Sequence, residues 1–120
     1  MLEDHSFKKH NRLLNKSAFS SVLSKQKKRF CGTFILYTNE NGLDHPRIGV
    51  IISKKQVRLA ADRNRIRRMV KEAFRKNITS LPNIDIVLIG LHPMQHLTGI
   101  EILRCIEKQW HYFRQVSVAA

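Results

Sequence analysis

Apolar residues along this chain recur at two different spacings, and the switches between them outline the secondary structure. Ala18, Phe19, Val22 and Leu23 fall at helical intervals, which predicts a first helix over Ser17–Lys25, capped by Asn15 or Ser17. The run QKKR at 26–29 reads as a charged connector. Phe30–Thr38 is rich in aromatic and β-branched residues, among them Phe34, Ile35 and Tyr37, and predicts a strand, with a short extra strand near Phe30. Ile48, Val50 and Ile52 alternate along Arg47–Ser53, a second strand. Asn39–Pro46, with Asn41-Gly42 and a proline, is expected to loop between these two as antiparallel partners. Ile84–Leu91 is a nearly unbroken apolar run, as a central strand buried on both faces requires.

Between the second and third strands the period becomes helical again. Ile66, Met69, Val70, Ala73 and Phe74 fall within roughly 140° of arc on a helix. Asn64, Arg67, Arg68, Lys71 and Arg75 fall on the opposite side, within about 100° of one another. This helix is expected to begin at or near Asp62, to be entered by a basic connection over Lys54–Ala61, and to be stopped by Pro82. His92 precedes Pro93, so the chain should leave the late strand extended. Thr98 and Glu101 form a capping box opening a last helix, whose apolar stripe is Ile102, Leu103, Ile106, Trp110 and Phe113. The order is α-β-β-α-β-α. It predicts an α/β fold, an α+β sandwich on a mixed sheet of three to four strands. The whole chain, 1–120, reads as one domain with a flexible basic segment at 1–14.

Charge changes the picture. The chain carries 22 Lys and Arg against 9 Asp and Glu, a net charge of +13. Residues 54–76 hold ten cations and two acids (+8), and residues 1–30 hold eight and two (+6). The remainder has four cations and five acids. A solvated helix normally mixes Lys with Glu one turn apart, yet Glu72 is the only acid between Arg63 and Lys76. Mutual repulsion along such a ridge costs stability, and a polyanion relieves it. Five of the ten cations in 54–76 are arginines at 63–68 and 75, suited to bidentate phosphate contacts and to stacking. Phe19, Phe34 and Tyr37 lie beside basic segments and offer platforms for unpaired bases. Phe34 reads first as core, Phe19 serves equally well as core, and the polar tip of Tyr37 makes it the better candidate for an accessible position.

Other chemistries lack their residues. The six histidines do not assemble a metal set: His5, His10, His45 and His111 stand alone, and Pro93 is expected to keep His92 and His96 from sharing a fixed face. The acids are too scattered to hold two divalent ions for hydrolysis. The five glycines do not cluster as a phosphate loop does. No apolar run is long enough to span a membrane, and MLEDHSFKKH lacks the apolar stretch of a secretory signal. Cys31 and Cys105 read as reduced side chains of a cytoplasmic protein. Binding is the chemistry that remains.

The segment HPRIGVIISKKQVRLAADRNRIRRMVKEAFR, His45–Arg75, closely resembles the protein subunit of bacterial ribonuclease P. The resemblance lies in Arg63-Asn64-Arg65, then Ile66, two basic residues and Ala73-Phe74-Arg75, entered by Ser53-Lys54-Lys55. Arg12-Leu13 and the Phe19 helix match more loosely, as do the late strand and last helix. The resemblance implies a ribosomal-protein-like fold with a left-handed βαβ crossover. It implies a basic protein that helps a catalytic RNA cut the 5′ leader from precursor tRNA, with no catalytic residue or metal ligand in the protein itself. Mg²⁺ is then expected at the RNA active site, with one protein per RNA. By the same resemblance, Arg63, Asn64, Arg65, Arg67, Arg68 and Lys71 meet the RNA, with Lys54 and Lys55 beside them, and Arg75 continues that charged face. A cleft between the first helix and the sheet takes the leader, which carries over to Arg12, Phe19 and Tyr37. Leu23 stands where relatives often have a second aromatic, and Gly90-Leu91-His92 where many carry Lys or Arg. A ribosomal or ribosome-associated RNA-binding protein is the alternative reading.

Overall fold

A computed structural model of the protein describes residues 27–119. The first helix predicted over Ser17–Lys25 lies outside the described residues, as do Arg12, Phe19 and the segment 1–14. Four strands form one sheet: β1 (Lys28–Phe30), β2 (Phe34–Glu40), β3 (Arg47–Ile51) and β4 (Ile84–Gly90), in the order β1-β2-β4-β3. Helix α1 (Ala60–Arg75) links β3 to β4, and α2 (Gly99–Ala119) closes the described chain.

The expected strand over Phe30–Thr38 is two strands. The chain turns back at Cys31–Thr33, where Gly32 takes φ +83° and the Cys31 amide donates to the Phe34 carbonyl at 2.9 Å. This places Phe30 opposite Ile35 and Lys28 opposite Tyr37. The supposed connector at 26–29 therefore contributes most of β1. Its charges suit an edge strand, whose outer side needs no apolar partner.

The loop after β2 does not join paired neighbours, because β4 inserts between β2 and β3. β4 runs antiparallel to β2 and parallel to β3, matching Ile86 to Thr38 on one side and to Ile48 on the other. That central position explains the apolar run. Ile86, Val87 and Leu88 are all fully buried.

Both helices cover one sheet face. Phe34, Leu36, Ile48, Ile86 and Leu88 meet Ile66, Val70, Ala73 and Phe74 from α1 and Ile102, Ile106, Trp110 and Phe113 from α2. Leu103 is half-buried beside them. The α2 capping box forms as the spacing predicts: the Thr98 amide donates to Glu101 Oε1 at 2.9 Å, and the Glu101 amide to Thr98 Oγ1 at 3.2 Å. Hydrogen bonding to the ionised carboxylate, from the Thr98 amide first and the Thr98 side chain second, holds the Glu101 pKa below its ordinary value.

The start of α1 falls near the expected Asp62, while its end and the exit from β4 depart from expectation. α1 starts at Ala60 after an uncapped, extended Leu59, so Asp62 sits in the first turn, where its charge favours the helix dipole. It ends at Arg75, well before Pro82. Asn77 stops it, with φ −121° and Nδ2 donating to the Ala73 carbonyl at 2.8 Å, ahead of a 3-10 turn at Ile78–Ser80. After β4 the extended residue is Leu91 rather than His92, and the chain then tightens into a 3-10 helix over His92–His96.

One polar residue interrupts the apolar strand. Asp85 is 5% exposed and accepts two bonds from the Arg47 guanidinium, at 2.7 and 2.6 Å, and a third from Asn41 Nδ2 at 3.0 Å. The carboxylate raises the Arg47 pKa through that hydrogen bond. Arg47 and Asp85 are register partners, so the pair pins the parallel alignment of β3 on β4. Asp85→Ala strands the Arg47 charge against the sheet and should cost about 3 kcal/mol in urea unfolding. A loss under about 1 kcal/mol would mean water replaces the carboxylate adequately.

Candidate RNA-binding surface

Helix α1 buries Ile66, Val70, Ala73 and Phe74 and turns Ala61, Asn64, Arg68 and Lys71 fully outward. Arg67 flanks that outer stripe, half-buried at its base. No ion pair or hydrogen bond engages the side chains of Asn64, Arg67, Arg68 or Lys71 among the described residues. Lys54 and Lys55 are likewise exposed, on the turn that leads from β3 toward α1. This is an unneutralised row of cations on a rigid support.

The other arginines of the motif serve the fold. Arg63 donates to the carbonyls of Val57 and Arg58 at 2.9 and 2.8 Å, closing the connection onto the start of α1. Arg65 donates to the Gln95 and Leu97 carbonyls at 3.1 and 3.0 Å, tying α1 to the 3-10 segment after β4. Arg75 pairs with Glu72, which also lies 3.9 Å from Lys76. The Arg75 hydrogen bond holds the Glu72 carboxyl below its usual range, and Glu72 in return raises Arg75. Arg65→Ala should therefore lower stability by about 1–2 kcal/mol without any RNA present, because two carbonyls lose a charged donor. Unchanged unfolding with weakened RNA binding would instead assign Arg65 wholly to the ligand.

The opposite sheet face carries a second pattern. Cross-strand partners share a face, so Lys28, Tyr37, Val87 and Gly49 form one row, and Phe30, Ile35, Ile89 and Ile51 another. Phe30 is 66% exposed, and Tyr37 is half-buried beside exposed Lys28. Phe34, the other aromatic considered for stacking, is fully buried in the helix-covered core. Phe30 and Lys28 escaped the sequence reading because the edge strand there went largely unrecognised. The pairing of basic and aromatic residues in KKRF was the available signal.

His92 and His96 come together despite Pro93. Their ring centroids are 5.5 Å apart and nearly perpendicular, because the 3-10 turn is tighter than the extended chain expected. Among the described residues no third His, Cys, Asp or Glu joins a possible metal set. Burial pushes the Cys31 thiol pKa up, and Cys31 and Cys105 are both free. No described helix is long and apolar enough to cross a membrane.

An α+β sandwich that presents a row of unpaired cations on a helix face defines a class: a small basic protein with a nucleic-acid-binding surface. Comparison with known proteins makes the assignment specific. The Ribonuclease P family model matches residues 7–114. The ribonuclease P protein component of Vibrio campbellii is 33% identical over 116 residues, covering 97% of this chain and 98% of that one. That of Pseudomonas aeruginosa is 39% identical over 105 residues, covering 87% and 78%. The solved RNase P protein of Staphylococcus aureus superposes with a TM-score of 0.77 at 26% identity, over 89% of this chain and 94% of the other. The chain belongs to the ribonuclease P protein family. It is a protein subunit of the ribonucleoprotein endoribonuclease that matures tRNA 5′ ends, and it partners the RNA of that enzyme.

Proposed function

We propose that the protein grips the catalytic RNA with the outer stripe of α1 and guides the precursor leader across the sheet face opposite α1 and α2. The observation that carries this reading is the set of exposed Asn64, Arg68 and Lys71 with half-buried Arg67 beside them, none with a side-chain partner among the described residues. Two RNAs repel one another, and a +13 protein between them lowers that cost. Lys54 and Lys55 extend the contact, and Arg63, Arg65 and Arg75 hold the support in shape while adding positive potential. Tyr37 offers its ring to an unpaired base beside Lys28, which faces the phosphates. Holding the leader favours precursor over product, so mature tRNA departs.

The chemistry belongs to the RNA in this reading, with Mg²⁺ at its active site and one protein per RNA, in the cytoplasm. Adding the protein to its RNA should restore precursor cleavage at low Mg²⁺, where the RNA alone is slow. Tyr37→Ala should weaken precursor binding by roughly tenfold, the value of one stacked base, and leave mature tRNA binding unchanged. Equal weakening for both substrates would remove Tyr37 from the leader path.

A further inference from the structure

A groove of about 610 Å³ opens at the end of the sheet where β1 begins and β2 finishes, with Lys27, Lys28, Arg29, Asn39, Asn83 and Tyr112 in its walls. Its floor is built from a preformed stack. Arg29 pairs across strands with Leu36, so it faces the same side as the core and meets α2. The Arg29 guanidinium carbon lies 3.7 Å from the centre of the Tyr112 ring, and Nε donates to Gln109 Oε1. Tyr112 is nevertheless 40% exposed, and its ring is set edge-on by Phe113 at 5.6 Å.

Each wall matches one part of a nucleotide. A guanidinium seated over an aromatic ring offers a surface on which a base stacks. Lys27 and Lys28 are exposed and supply countercharge for phosphate, against Glu40 as the acid in the lining. Asn39 and Asn83 bring amide donors and acceptors suited to base edges. The volume lies within the range of sites that enclose small organic ligands, enough for about one or two nucleotides.

Position selects which RNA arrives. The groove sits at the start of β4, beside Asn83 and Ile84, whereas Arg65 ties α1 to the chain after the end of β4. The two places are separated by roughly 20 Å of strand, so the groove lies at the opposite end of the sheet from Lys54, Lys55 and the start of α1. Lys28 connects it to the other sheet face instead, since this residue pairs with Tyr37 and also lines the groove. We propose that the groove is a nucleotide subsite for the single-stranded leader, which passes Tyr37 and Lys28 and then lays a base against the Arg29–Tyr112 stack. This rests on the leader reading above.

Affinities of the reconstituted holoenzyme for precursor with a leader of about ten nucleotides, with one of about two, and for mature tRNA test it. Tyr112→Leu keeps apolar contact with Phe113, and Lys27→Gln alters only an exposed charge. The expected result is roughly tenfold weaker binding of the long-leader precursor for Tyr112→Leu and a smaller loss for Lys27→Gln, with the other two substrates unaffected. Unchanged long-leader binding in both variants overturns the subsite, as does equal weakening of all three substrates. If Tyr37→Ala still weakens long-leader binding in that case, the leader reading stands and only the groove falls. If Tyr37→Ala has no effect while the groove variants lose long-leader affinity, the groove stands and the role of Tyr37 falls.

Discussion

Replacing Arg67, Arg68 and Lys71 together by alanine is expected to weaken binding to the catalytic RNA by roughly 100-fold at low salt. The three side chains have no internal partner among the described residues, so their charge is available to phosphate. An exposed charge-assisted contact is worth about 1 kcal/mol, below the range for buried ionic hydrogen bonds because solvent screens it. Three such contacts give about 3 kcal/mol, or two factors of ten in affinity. Salt dependence is the sharper readout. Each lost phosphate contact removes about 0.7–0.9 from the log–log slope, so the triple variant should be flatter by about two to three units. Alanine has the highest helix propensity, and removing like charges relieves repulsion, so the helix itself should not weaken. A slope equal to that of the unmodified protein would show that the ridge does not touch RNA.

Trp110→Ala should produce the largest loss of stability, about 3–5 kcal/mol. Trp110 is fully buried, edge-on to Phe74 at 6.4 Å and tilted against Phe113 at 6.2 Å. Its Nε1 donates to the Ala73 carbonyl at 3.1 Å, near the end of α1. Removing the indole opens a cavity between the helices and deletes that bond. A domain of this size has only about 5–15 kcal/mol in total, so a large part of its stability would go. Trp110→Phe keeps most of the packing and loses the N–H, which should cost about 1–2 kcal/mol. Urea unfolding of the three proteins separates the two contributions. A near-equal cost for both substitutions would place the whole effect in the hydrogen bond.

Much of this fold was legible because single elements carry their own signals. The apolar stripe of α1, the continuous run of β4 and the Thr98–Glu101 box each act within a few residues, where spacing maps directly onto face. The edge strand β1 was not legible in full, because Lys28 and Arg29 look like a solvated connector until β2 folds back beside them. The neighbours of β4 were not legible either. Hydrogen-bond partners in a sheet come from distant segments, and nothing local in Asn39–Pro46 indicates that another strand will enter between β2 and β3. The stop of α1 misled for a related reason: Pro82 is the stronger local signal, yet Asn77 satisfies the last carbonyls first.

Sequence alone determined that this protein carries a stiff basic helix with an apolar underside, that its middle is a sheet, and that it belongs among nucleic-acid-binding proteins. Those conclusions follow from charge and periodicity, which need no knowledge of the partner segments. Only the tertiary structure decided which cations remain free. Arg63, Arg65 and Arg75 are chemically equal to Arg67 and Arg68 in the sequence, but carbonyls at Val57, Gln95 and Leu97 and the carboxylate of Glu72 claim the first three. Whether a guanidinium faces solvent or its own backbone depends on which distant residues fold against it, and that is set by packing.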